Sequence, residues 1–206
     1  LATRLRPAET ALLIANSSEI NTAFYTATSA EAGLKGKAYG GRPLFRRAGL
    51  YAAFLDAGIP VDVISEEEIL EDQALSRYKA LYVTDTHVSV PVQDAIQSWV
   101  KGGGILWADF TALARNQYDE DSGAMNETFG LAARGALPDP GRSPDPEARG
   151  ETIQVLAREK LEPVAFEGSA FRPAWTLSTG ESLATFTNGQ PALVRNRFGK
   201  GQAVLM

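Results

Sequence analysis

The stretch Tyr78 to Phe110, YKALYVTDTHVSVPVQDAIQSWVKGGGILWADF, decides the fold. YKALYVT is a short apolar run with the length and aromatic content of a buried strand. Pro91 then suits the first turn of a helix, and Val92, Ala95, Ile96, Trp99 and Val100 recur at helical spacing to make one apolar face. Gly102 to Gly104 end that helix, and GILWA follows at once as a second strand. Two strands joined by one helix at such short range predict a parallel crossover, with the sheet covered on both faces.

The same alternation extends toward the N-terminus. TALLIA (10–15) reads as a strand ended by Asn16, Ser17 and Ser18, residues that favour turns and helix starts. Residues 19–41 are rich in Gly, Ala and Thr without a firm period, which predicts a long loop with at most one helical turn. From Pro43 to Gly58, Leu44, Ala48, Tyr51, Ala52 and Leu55 predict a helix, after which VDVI, the acids Glu66 to Glu68 and a short helical stretch follow.

Beyond Asp109 the texture changes. A polar stretch with a helical pattern ends at Phe129-Gly130-Leu131, and LPDPGRSPDPEARG, near 137–150, reads as a proline-rich insert. TIQVLA, SLATFT, PALVRNR and QAVLM then read as strands, with Asn188-Gly189 and Gly199-Lys200-Gly201 supplying hairpin turns. The fold class expected is α/β: a doubly wound, flavodoxin-like, mainly parallel sheet with antiparallel C-terminal strands. Residues 1–206 form a single domain in this reading. The beginning at Leu1 and the end at Met206 inside an apolar run predict a piece of a longer chain.

Composition removes several kinds of function. There is no cysteine among the 206 residues, which excludes disulfides, thiolate zinc sites, iron–sulfur clusters and cysteine nucleophiles. A net charge of -5 gives no general basic field, and the one local cluster, Arg42, Arg46 and Arg47, is sparse, so nucleic acid is not an expected partner. No apolar run approaches the ~18 residues of a membrane span, and LATRLRPAET lacks the apolar middle of a signal peptide. A soluble, cytoplasmic protein with no membrane partner is the resulting expectation.

Open α/β sheets bind ligands beyond the carboxyl ends of their strands. The residues so placed are Asn16, Ser17, Asp85, His87 and Asp109, with Trp175 as the one credible exposed aromatic, since Trp99 and Trp107 fall at core positions. His87, the only histidine, could act as a proton shuttle beside Asp85, although a lone strand-end histidine is more often structural. No nucleophile elbow precedes a helix. Gly102 to Gly104 follow a helix, where a phosphate cradle must follow a strand. Asp119 to Gly123 is similar to a calcium loop but lacks the closing glutamate. No metal, no cofactor and no catalytic residue are expected.

YKALYVT, WVKGGGILWADF, the Asp119-Glu120 stretch with FGL, and NGQPALVRNRFGKGQAVLM together resemble the amidotransferase-like trimerisation domain of family 42 β-galactosidases, over about residues 42–131 and 175–206. Residues 19–41 and the proline-rich insert depart from that pattern. The resemblance implies that the superfamily's thiol machinery is missing, because no cysteine is present and no histidine follows His87. It further implies that the hydrolytic carboxylates belong to a separate barrel. The function expected is therefore a non-catalytic domain of a carbohydrate-active or uncharacterised multidomain protein, inactive alone, acting in oligomer assembly and lining a sugar site. Its expected partners are the parent chain's other domains, copies of itself and carbohydrate. The competing readings are a small hydrolase or isomerase using His87 with Asp85 or Asp109, and a stand-alone small-molecule binding module.

Overall fold

The structure, a computed structural model, describes residues 7–31, 42–135, 152–155, 165–167 and 174–206. Its framework is a nine-stranded sheet. β1 (Thr10–Ile14), β2 (Val61–Ser65), β3 (Ala80–Val83) and β4 (Ile105–Ala108) run parallel, and β11 (Gly201–Leu205) joins them beside β4. β10 (Pro191–Phe198), β9 (Glu181–Phe186), β6 (Thr152–Val155) and β7 (Ala165–Glu167) continue the sheet antiparallel, in the order β2-β1-β3-β4-β11-β10-β9-β6-β7. The predicted mixed sheet is thus observed, and the two hairpin turns fall at Gly189 and Gly199, both at positive φ. A second sheet of two strands, β5 (Leu131–Ala133) and β8 (Thr176–Leu177), forms from residues not read as strands in the sequence. Two or three residues carry no readable alternation.

Strand periodicity places alternate residues on opposite faces. Leu13, Leu81, Val83, Leu106, Ala203 and Leu205 are fully or almost fully buried on one face. They meet Val92, Ile96 and Val100 of α4 (Val90–Gly102), Ile69 of α3 (Glu66–Leu70), and Met125 and Phe129 of α5 (Ala124–Phe129). At the end of α4 the chain turns through Gly103 at φ 131, and Gly104 lies so close to Trp99 that an added Cβ would stand 2.3 Å from the ring. On the opposite face Leu12, Tyr82, Trp107 and Val204 align across the strands. Phe54 of α2 (Arg42–Asp56) meets Tyr82 edge-on at 4.8 Å, and Tyr82 stacks on Trp107 at 5.9 Å.

Two expectations require correction. α1 (Asn16–Glu31) is a helix of 16 residues where a long loop was predicted; residues 32–41 of that segment lie outside the described residues. Its Thr, Ser and Asn residues have middling helix propensity, and no apolar stripe marks it because Ile20 and Phe24 point outward at 69% and 63% exposure. What starts it is local: the Ser18 and Glu19 amides donate to the Ala15 carbonyl as β1 ends. Trp175, expected on the surface, is buried in the main core. Pairing of β8 with β5 carries it inward, a long-range contact that single-sequence patterning does not register. The proline-rich insert lies outside the described residues.

Candidate functional site

Between β1 and β3 the connections leave in opposite directions, since β1 leads to β2 on one side and the chain then crosses to β3 on the other. This switch point opens a crevice at the carboxyl ends of the strands. Asn16 and Ser17 stand at its β1 edge, Asp85 and His87 at its β3 edge, and Asp109 at the end of β4. The structure brings these elements to one rim but commits their side chains to separate tasks.

Glu66, the first residue of α3, organises the rim. Its carboxylate is buried and accepts from the Ser17 amide at 2.8 Å, the Ser17 hydroxyl at 3.2 Å and the Ser89 amide at 2.7 Å, tying the ends of β1, β2 and β3 together. Asn16 faces away and donates to Glu67 at 2.7 Å. This hydrogen bond helps hold the Glu67 carboxyl below its ordinary range, behind the larger backbone contribution. Ser65 and Glu68 close a capping box over α3, the Ser-x-x-Glu signature that the sequence displays.

Asp85 is completely buried. Burial is the dominant cause that pushes its carboxyl up to about 7, and the Glu19 charge adds to it; the Arg47 charge, the Ser18 hydroxyl and the Ala15 amide favour the anion. These contacts are loose. Arg47 Nη1 stands 3.9 Å from Asp85 Oδ1 while its Nη2 pairs closely with Glu19, and among the described residues neither Asp85 oxygen has a partner meeting hydrogen-bond geometry. Beside it Arg46 reaches Asp109 at 2.5 Å and Thr111 at 2.9 Å. The other Asp109 oxygen accepts from the Thr111 and Ala112 amides and the Thr111 hydroxyl at 2.9–3.0 Å. Burial nevertheless raises the Asp109 carboxyl above its usual range.

The pairing of His87 differs from the one expected for a hydrolase. Its Nε2 meets Asp119 Oδ1 at 2.8 Å, not Asp85 or Asp109. Asp119 sits at φ 63 and is also held by Arg115, which bonds its carbonyl at 2.7 Å and approaches its carboxylate at 3.2 Å. Pairing of Arg115 with His87 along the backbone brings this turn to the imidazole. Burial lowers the His87 pKa, against the raising effect of Asp119. The imidazole fastens the loop after β3 to the 115–122 turn. Arg46, Arg47, Glu66, Thr111 and Asp119 were not read as rim residues: a charge on a helix reads as a solvated face until the helix is placed over a crevice, and Thr111 and Asp119 lie in turns whose partners are distant in sequence. Among the described residues no three His, Asp or Glu side chains cluster as metal ligands would.

Comparison with known families decides where this arrangement belongs. The profile of the β-galactosidase trimerisation domain matches residues 46–206. The chain belongs to the β-galactosidase trimerisation domain family. As such a domain it superposes on the cold-adapted β-galactosidase of Rahnella sp. R3 with a TM-score of 0.71 at 20% identity, over 97% of this chain and 28% of that one. For the β-galactosidase of Bacillus circulans sp. alkalophilus the values are 0.69, 21%, 97% and 28%. At such identities the likeness establishes the shared fold. The trimerisation domain thus spans about a quarter of the length of these solved relatives. The cytoplasmic protein STM3548 of Salmonella typhimurium, at TM-score 0.54 and 14% identity, is matched over 76% of this chain and 73% of its own, so the same fold also fills most of a shorter protein. No curated protein matches at a significant level. No helix among the described residues is long and apolar enough to cross a membrane.

Proposed function

We propose that this trimerisation domain is a non-catalytic assembly module of a longer, β-galactosidase-like protein, and that it associates through the face formed by α1 and the 116–120 turn. The family match over residues 46–206 carries this reading. The rim chemistry agrees with it, since Glu66, Asp109 and His87 are each spent on fastening loops. Asn21 donates to the Gln117 carbonyl at 3.2 Å and so lays α1 against that turn. Ile20 and Tyr118, the chain neighbours of the two bonded residues, are 69% and 75% exposed, Phe24 of the same helix is 63% exposed, and Val90 is joined to the turn through Gln117. Aromatic and aliphatic groups of this kind anchor interfaces, which bury at least about 1,000 Å² when stable.

Sedimentation of the intact protein tests the reading. Ile20→Asp combined with Tyr118→Asp is expected to weaken self-association at least ~30-fold, the scale of one lost anchor worth about 2 kcal/mol. Unaltered association of the double variant would move the interface elsewhere. A wild-type protein that stays monomeric at micromolar concentration would remove the assembly role.

A further inference from the structure

The pairing of β9 with β10 stops before β10 does. Arg195 opposite Glu181 is its last pair. Beyond that pair the chain before β9 is drawn aside, because the Gly180 amide donates to the Gly130 carbonyl at 2.9 Å. The two glycines approach so closely that a Cβ on Gly130 would stand 2.3 Å from the Gly180 nitrogen. A recess of about 250 Å³ opens where the strands part, lined by Thr179, Glu181, Arg195, Asn196 and Arg197. It is smaller than the ~300–1,000 Å³ of pockets for drug-sized ligands, so its occupant is a small molecule or one group of a larger one.

The neutral wall of the recess is already satisfied. Asn196 is buried; its amide nitrogen donates to the Glu127 and Thr128 carbonyls at 3.2 and 3.0 Å, and its oxygen accepts from the Thr179 hydroxyl at 3.0 Å. The cations are not. Arg195 spends Nη2 on the Glu181 carboxylate at 2.9 Å, and Arg197 is exposed and has no ion pair among the described residues. Being two apart on one strand, these arginines project to the same side with their Cα atoms about 7 Å apart. Two guanidinium groups against one carboxylate leave an excess of positive charge, in a chain whose net charge is -5. Guanidinium N–H groups without acceptors call for an oxyanion. A planar carboxylate matches a single guanidinium fork, whereas a phosphate group offers three oxygens in different directions and can bridge two.

We infer that the recess where β9 parts from β10 is a binding site for a phosphate group, held by Arg195 and Arg197. The phosphate is either the free anion or one end of a small phosphorylated molecule. The residues of the site lie outside α1 and the 116–120 turn, so it stands or falls without the proposed assembly face.

The test is thermal denaturation of the intact protein in increasing sodium phosphate, glycerol phosphate or sodium acetate, against sodium chloride at equal ionic strength, with Arg197→Gln and Arg197→Lys alongside. Melting in chloride alone is each variant's own baseline. Phosphate is expected to raise the wild-type melting temperature saturably. The apparent Kd should be at least ~10-fold weaker in Arg197→Gln, about one lost charge-assisted hydrogen bond, and intermediate in Arg197→Lys, which keeps the charge without the fork. A stronger response to glycerol phosphate than to phosphate assigns the site to a phosphorylated molecule, and the reverse assigns it to the free anion. Equal rises in wild type and Arg197→Gln, an equal response to acetate, or no response in the wild type would each overturn the site.

Discussion

Asp85→Asn offers the most direct probe of the crevice. In the folded protein the Asp85 carboxyl is pushed from its ordinary 3.8 up to about 7. Between those values the folded state keeps a proton that the unfolded chain has released. Stability therefore falls as pH rises from about 4 to about 7, and above that the whole cost is present. The distance from 3.8 to about 7, at about 1.4 kcal/mol per pH unit, puts the cost of ionised Asp85 at about 4 kcal/mol. An amide is nearly isosteric with the protonated carboxyl and cannot ionise. Asp85→Asn should thus change stability little at pH 4, within about 1 kcal/mol, and raise it by about 3–4 kcal/mol at pH 8. Urea unfolding followed by tryptophan fluorescence at a series of pH values measures this, with an unchanged denaturant slope as the control for an intact fold. Other groups also titrate: His87 is lowered by burial, and Glu67 is lowered with the opposite consequence for an acid. The difference between wild type and variant cancels them. Parallel pH profiles for the two proteins would refute the reasoning, because they would mean that Asp85 ionises as readily folded as unfolded.

Glu66→Gln should destabilise by about 2–3 kcal/mol at neutral pH, since a neutral amide weakens the three hydrogen bonds and must turn its NH2 toward either the Ser17 or the Ser89 amide, donor against donor; denaturant unfolding reads the loss. Gly104→Ala should cost about 1–3 kcal/mol through the clash with Trp99, and Gly104→Ala in a Trp99→Leu background should cost less, a coupling that a double-mutant cycle measures. His87→Gln should leave any activity of the intact protein unchanged while speeding proteolysis in the 115–122 turn, because the imidazole is bound to Asp119 there.

The segment from Tyr78 to Phe110 carried strand, helix and strand in local signals alone: apolar runs of strand length, a helical apolar stripe, Pro91 at one end and Gly103 at the other. The C-terminal hairpins were equally local, because Asn188-Gly189 and Gly199-Lys200-Gly201 are turn chemistry wherever they fold. Missing thiols likewise needed no structure to exclude a cysteine nucleophile. α1 escaped because its partner groups, the Ala15 carbonyl and the 116–120 turn, lie at its end and across the chain, leaving no stripe in its own sequence. Which residues share the rim was decided by tertiary structure. Sequence placed Asn16, Ser17, Asp85, His87 and Asp109 at strand ends from topology, but whether a strand-end carboxylate is solvated, paired or isolated depends on what packs over it. α2 delivers Arg46 to Asp109 and Arg47 to Glu19, leaving Asp85 buried with only a 3.9 Å approach from Arg47 and no hydrogen-bond partner among the described residues. Trp175 was turned inward by the pairing of β8 with β5. Both outcomes depend on long-range register and burial, and the energy of a charge or an N–H is set by those surroundings, not by its neighbours in the chain.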